Sequence, residues 1–270
     1  MATIVSIAGA LPRRQERVAG ASWWRRRGVG LLLPAAILLL WTVAAQQAWM
    51  PATVLPSPAL VARSFVDLVA SGELIAHLAV SLRRVAIAFV IGTAIGLAIG
   101  VALGSSRTVD TWFGPFFRTF AQIPSLTWIP LLMMALGIGE TLKIVVLAKA
   151  CLVPVAITTA GAIREVSIEY LEVGRILRLS RLSTFAKILF PATFPAVFSG
   201  LRQGLSGVWT ALIVVEMMAS ANGLGYLMSW ARMLFQLDIV MVAIVTVGLI
   251  GFGLDLVLKT IDLRLQGWRA

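Results

Sequence analysis

Residues 85–103 read VAIAFVIGTAIGLAIGVAL, an uninterrupted apolar run without a single charge. An α-helix rises 1.5 Å per residue, so about 20 apolar residues cross the hydrocarbon core of a bilayer. A run of this length is too long for a buried strand and predicts a transmembrane helix. Working outward, five more stretches of similar character lie at about 29–49, 113–135, 142–163, 195–219 and 239–258, with Arg, Lys or turn residues between them. The expected fold class is all-α: a polytopic membrane protein with six transmembrane helices.

Composition agrees. Of 270 residues, 59% are hydrophobic and 13% charged, against roughly 45–50% and 25% in soluble domains, which excludes a water-soluble globule. The 23 Lys and Arg outnumber the 12 Asp and Glu, for a net charge of +11. In a soluble protein such an excess suggests nucleic acid; in a membrane protein it sets orientation, because cytoplasmic loops collect Lys and Arg. No nucleic-acid partner is therefore expected. Cys151 and His77 are the sole residues of their types, so neither an intramolecular disulfide nor a Cys/His zinc site is expected, and no metal.

The first span follows Trp23, Trp24, Arg25, Arg26 and Arg27, an aromatic and basic anchor suited to the cytoplasmic interface. A cleaved leader is the rival reading, with Val43-Ala44-Ala45 as a small-residue cleavage site. The apolar run exceeds the roughly 7–15 residues of a leader's apolar region, which favours a retained span. With the N-terminus inside, the inner segments hold Arg13, Arg14, Arg17, Arg25, Arg26, Arg27, Arg107, Arg164, Arg175, Arg178, Arg181, Lys187, Lys259, Arg264 and Arg269. The outer ones hold Arg63, Arg83, Arg84, Lys143 and Arg232. Both termini are thus expected in the cytoplasm.

The chain divides into a basic tail (1–28), a first span with an external segment (29–84), a core (85–258) and a C-terminal tail (259–270). Within 50–84, Pro51, Pro56 and Pro58 precede Leu60, Val61, Phe65, Leu68 and Val69 at helical spacing, a short amphipathic helix outside the bilayer. Residues 220–238 form a second external segment, with a turn at Asn222-Gly223-Leu224-Gly225.

The segment 164–194 is neither lipid-compatible nor of low complexity. It reads as two short amphipathic helices. Val166, Tyr170, Val173 and Leu177 form one apolar face, Glu165, Glu169 and Glu172 lie on another, and Arg175 sits within pairing distance of Glu172. Ser180 or Ser183 caps the second helix, and Pro191 ends or kinks it.

The run from Glu172 to Pro191 resembles the E-A-A-x3-G-x9-I-x-L-P loop of bacterial ABC-importer permeases, with Glu172, Ile188 and Pro191 at the family spacing. Further segments resemble the branch that handles nitrate, sulfonates and taurine. They are Leu55-Pro56-Ser57-Pro58, the run Ile123-Pro124-Ser125-Leu126-Thr127-Trp128-Ile129-Pro130-Leu131, Gly137-Ile138-Gly139-Glu140, Ser199-Gly200-Leu201-Arg202 and Ala221-Asn222-Gly223-Leu224-Gly225-Tyr226. Two departures stand out: Val173 and Gly174 replace the alanines, and Arg178 takes the place of the loop glycine. A glycine there permits a positive φ at a helix end, which costs an arginine sterically. Either the turn differs in shape, or the arginine makes a contact that glycine cannot.

The resemblance implies a type I ABC-importer permease fold in a bacterial inner membrane. It implies that Glu169, Glu172, Val173, Gly174, Arg175, Ile176, Leu177, Arg178, Leu179, Ser180 and Pro191 couple to a cytoplasmic ABC ATPase. The partners it implies are that ATPase, an external solute-binding protein, a second permease copy, expected as a homodimer with a close heterodimer as the alternative, and membrane lipid. The chain has no G-x-x-x-x-G-K-[ST] segment, so ATP and Mg are expected on the partner ATPase and no cofactor or catalytic residue in this chain.

Ionisable residues at membrane depth are costly and default to functional hypotheses. Arg202 and Asp255 fall at compatible depths near the cytoplasmic side and read as a structural pair. Lys149 and Glu216 fall toward the outer ends of their spans, where they have the depth to pair or to line the solute path, and Lys149 is a candidate solute-selecting charge. Gln122, Ser125 and Thr127, beside Pro124 and Pro130, either line the path or mark a kink whose freed backbone groups find neighbours. Gly92, Gly96 and Gly100 form a small-residue stripe, for internal packing or a dimer seam. Arg118 is placed to snorkel. A secondary transporter is the alternative function, but it calls for inverted repeats and ion-coupling carboxylates near the membrane centre. A membrane enzyme calls for a cluster of facing acid, base or nucleophilic residues, and none is readable.

Overall fold

The structure, a computed structural model, describes residues 23–265 apart from 52, 168, 171 and 173–175. Residues 1–50 and 51–270 form two separate compact units. The first contains one helix, α1 (Trp23–Gln46), which carries the first apolar stretch; its segment Leu32–Gln46 is continuously apolar.

The second unit opens with α2 (Pro58–Ala70). The Ser57 hydroxyl accepts the Leu60 amide at 3.2 Å and Pro58 occupies the first turn, where its missing N–H costs nothing. Of the apolar face read from the sequence, Val61 and Leu68 are buried, while Leu60, Phe65 and Val69 remain exposed.

Helix α3 runs from Glu73 to Ser105, so the second span starts well before residue 85. Arg83 and Arg84 are helical rather than loop residues, and Arg84 is only 2% exposed. The third apolar stretch is broken: α4 (Arg107–Gln122) and the run from Ser125 through α5 (Ile129–Leu136) meet at 90°. Pro124 accounts for the break, since Ile123 before it is held extended at φ −78°, ψ 117°.

Helix α6 (Glu140–Arg164) leads into the long loop. The chain returns through a helical turn at Arg181–Thr184 and a π turn at Phe185–Leu189 into α7 (Phe190–Ala219). The sequence reads Pro191 as ending or kinking the second loop helix; the helical path does not end there, and Pro191 sits in the first turn of α7, just after the π turn. Its missing amide would have bonded Lys187; the preceding Phe190 amide reaches back to the Phe185 carbonyl, which produces the π turn. Helices α8 (Leu224–Met233) and α9 (Leu237–Leu265) complete the unit. Helix α7 with its preceding π turn meets α8 at 47°.

Among the described residues, α3, α6 and α9 are each long and apolar enough to cross a membrane alone, and the two bent pairs bring the number to five. The core lies where α3, α5, α6 and α7 meet, with Val85, Ala88, Ile129, Val146, Leu147, Cys151, Val155, Val208, Leu212 and Val215 buried together. Close approach on the α3 side of α6 depends on the glycine stripe. A Cβ on Gly96 would lie 2.8 Å from the Leu152 carbonyl oxygen and 3.0 Å from Val155 Cβ, and one on Gly100 2.6 Å from Thr159 Cβ. The stripe thus serves internal packing. Gly204 of α7 sits against Cys151 and Val155 of α6 in the same way.

Gly96→Val should therefore lower stability by about 1–3 kcal/mol, the usual cost of overpacking. Gly248→Ala, where an added Cβ meets nothing within 4 Å, should leave thermal unfolding in detergent unchanged; equal behaviour of the two variants would refute the packing role.

Candidate functional site

At the end of the core away from the long loop, three segments converge on Arg84. His77, Ser81 and Arg84 recur at i, i+4 and i+7 and so share one face of α3. Arg84 Nε and Nη2 donate to the two Glu140 carboxylate oxygens at 2.8 and 2.6 Å, a bidentate pair. Its Nη1 donates to Glu216 Oε1 at 2.7 Å and to the Asn222 carbonyl at 2.8 Å, and Nη2 also reaches the Asn222 side chain. Glu216, fully buried, further accepts the Ser81 hydroxyl at 2.9 Å and the Gly225 amide at 3.0 Å.

The turn after α7 is fastened by the same face. The Leu224 amide donates to Ser81 Oγ at 2.9 Å, and the Gly223 amide to His77 Nδ1 at 3.0 Å. Gly223 has φ +108°, and a Cβ there would collide with the Glu216 carboxyl group, so both conformation and space demand glycine. Lys143, 5% exposed, donates to Glu140 at 2.7 Å.

Glu216 is therefore sealed, and the structure does not bring Lys149 and Glu216 together. Sequence reasoning missed Arg84 because it placed the residue in an external loop. The available signal was the helical spacing of His77, Ser81 and Arg84 running directly into the apolar stretch.

At the other end, Arg164 donates to the Leu103 carbonyl at 2.9 Å and pairs with Asp110 at 2.6 Å, tying the start of the long loop to α3 and α4. Arg118 pairs with Asp110 as well, at 3.3 Å. In the loop, Glu169, Tyr170, Glu172 and Ile176 are helical, and Val173, Gly174 and Arg175 lie outside the described residues. Glu169, Glu172, Ile176, Leu177, Arg178 and Ser180 are exposed and Leu179 is half-buried. Tyr170, Ile176 and Leu177 are 60, 79 and 63% exposed, an apolar surface that the chain itself leaves uncovered.

Arg178 adopts φ +49°, so the turn keeps the left-handed shape that a glycine would favour. Ser180 then caps the following turn, accepting the Ser183 amide at 3.2 Å. Behind the loop lies a cavity of about 590 Å³ bordered by Glu165, Tyr170, Lys187, Ile188 and Pro191.

Within the helical core, Arg202 Nε and Nη2 meet the two Asp255 oxygens at 2.6 and 2.8 Å, clamping α7 to α9. Gln122 and Thr127 are exposed and Ser125 half-buried around the break between α4 and α5. Lys149 closes that break: its Nζ donates to the Ile123 carbonyl at 2.7 Å, a backbone group freed by the bend.

Comparison with known proteins follows the same lines. Residues 92–267 match the family described as binding-protein-dependent transport system inner membrane component. Over 265 residues the chain is 33% identical to a Bacillus subtilis protein described as an aliphatic sulfonates transport permease, SsuC, covering 97% of this chain and 96% of the relative. It is 38% identical over 228 residues to an SsuC of the same description from Escherichia coli, covering 84 and 87%. The taurine transport system permease protein TauC of Escherichia coli is 30% identical over 254 residues, covering 91 and 92%. Among solved structures, a chain of the MetNI methionine ABC transporter in inward-facing conformations shares the fold at a TM-score of 0.50 and 19% identity, covering 70% of this chain and 94% of that one.

Arg84→Met should cost about 3–5 kcal/mol, because it strands the Glu216 carboxylate in the core. Arg202→Ala should cost less, since both members of that pair are more than a third exposed. Thermal unfolding in detergent checks the order, and the reverse order would refute the central role given to Arg84.

Proposed function

The chain belongs to the family of binding-protein-dependent transport system inner membrane components, and we propose that the solute it imports is a small sulfonate. It is the membrane-spanning permease subunit of an ATP-driven ABC importer, a transport subunit and not an enzyme. An ABC ATPase and a solute-binding protein are its partners. The full-length similarity to permeases described as carrying aliphatic sulfonates supports the choice of solute, and the similarity to TauC, described for taurine, a sulfonate, points the same way.

In this reading both termini face the cytoplasm. The loop end carries Arg107, Arg164, Arg178 and Lys187, and two of the basic residues assigned to the other side, Arg84 and Lys143, are buried in ion pairs instead of facing water. That leaves Arg63, Arg83 and Arg232 there, which sharpens the asymmetry. The exposed loop segment around Glu172, with Tyr170, Ile176 and Leu177, docks on the ATPase. ATP and Mg are held by that subunit. Two permease copies surround the path and rock as rigid bodies when two ATPases close.

The observation that carries the coupling assignment is an apolar, acidic surface left uncovered on a loop that is anchored at its root by Arg164 and turns at the left-handed Arg178. Reconstitution with the ATPase and the binding protein in proteoliposomes tests the reading. Ethanesulfonate uptake should require ATP and the loaded binding protein; uptake without any ATPase subunit would overturn it. Glu172→Ala should insert normally yet lose roughly tenfold or more of its uptake, as truncating a central interface contact does; full uptake would overturn the docking assignment.

A further inference from the structure

A cavity of about 560 Å³ lies between α3, α5 and α6, with Lys149, Phe120 and Trp128 at its border. Its walls are otherwise almost wholly apolar, and include Ile91, Ile95, Leu132 and Val145. Lys149 is 9% exposed, and among the described residues no carboxylate pairs with it. An ammonium carries three N–H donors; the Ile123 carbonyl takes one. The Phe120 ring lies 4.6 Å from Nζ and the Trp128 ring 5.9 Å, both within reach of a cation–π contact.

Trp128 borders the same cavity. A buried ammonium without a counter-charge carries an uncompensated desolvation cost, which a single anion resolves. The wall residues add a surface for an alkyl chain.

We propose that this cavity is a subsite for a small organic anion, an alkanesulfonate, with its head on Lys149 Nζ and its chain along Ile91, Ile95 and Leu132. This rests on the reading of the chain as a sulfonate permease and places part of the solute selectivity in the permease itself. A sulfonate suits the site: its charge is permanent, it accepts several hydrogen bonds, and its carbon chain suits apolar walls. Sulfate, strongly hydrated and without a chain, does not.

Calorimetric titration of the permease–ATPase complex in phosphatidylcholine nanodiscs, without binding protein, tests this with ethanesulfonate as the probe. Saturable binding is expected, tighter for butanesulfonate than for methanesulfonate and without competition by sulfate. Lys149→Gln keeps an N–H for the Ile123 carbonyl but removes the charge, and should weaken binding by about tenfold or more, the value of a charge-assisted hydrogen bond. Lys149→Arg should retain binding.

Absence of saturable binding to the unaltered complex, or Lys149→Gln titrating like it, would overturn the subsite. So would displacement of ethanesulfonate when phosphatidylglycerol is added to the nanodiscs, which would make the occupant a lipid headgroup. ATP-driven ethanesulfonate uptake by the unaltered complex separates the two levels: uptake that ignores Lys149 removes the subsite alone, whereas no sulfonate uptake at all removes the solute assignment beneath it.

Discussion

A guanidinium buried about 16 Å along a membrane helix, counted from Glu73 at 1.5 Å per residue, has to find acceptors for its donors or it does not stay there. Arg84 finds them in Glu140 at the head of α6, Glu216 near the tail of α7 and Asn222 in the turn beyond. Their dependence on Arg84 differs: Glu140 is half exposed and also pairs with Lys143, whereas Glu216 has no other cation. Glu216 has no exposure to water, and the turn at Gly223 is shaped around its carboxylate. The ends of three helices and one irregular turn are thus fixed by one cluster whose members are tolerable only together.

This explains why motifs far apart in sequence belong to one structural unit. Gly139-Glu140 and Asn222-Gly223-Leu224-Gly225 were recognisable as segments, but nothing in either states a common partner. The partner, Arg84, stood one residue before the apolar run, and a charge in that position looks like the end of a span. Hydropathy locates apolar runs well and span ends poorly, because a paired charge inside a helix and a solvated charge at its mouth have the same letter. The bend at Ile123-Pro124 was more legible, since proline removes a donor and restricts its predecessor through local covalent geometry. Which group compensates the bend, Lys149, depends on tertiary placement and was not readable.

The Arg178 turn shows a different limit. Sequence spacing located the position and left two readings open; the backbone resolves them by keeping φ positive with a non-glycine residue. A left-handed arginine carries a local cost of roughly 1–2 kcal/mol, and among the described residues no hydrogen bond or ion pair of its exposed side chain offsets it. Under the docking proposed above, strain at this turn belongs with function rather than with the stability of the isolated chain.

The two working ends are joined by α6. Its first residue, Glu140, is held in the Arg84 cluster, and its last, Arg164, anchors the root of the docking loop to α3 and α4. Between them, glycines of α3 and α7 bring both neighbours onto the α6 backbone, with Gly92 and Gly204 on either side of Cys151. Close-packed helices of this kind bend little without overpacking or opening voids. In the proposed coupling, a push on the loop is passed along α6 as displacement of a packed three-helix unit, while at the right-angled break between α4 and α5 backbone regularity has already been given up. The cavity beside Lys149 borders both, the rigid α6 on one side and the broken span on the other, so its shape depends on how the two sit against each other. Lys149 fastens that break from α6 through the Ile123 carbonyl, so any change in the angle between the break and α6 alters this distance.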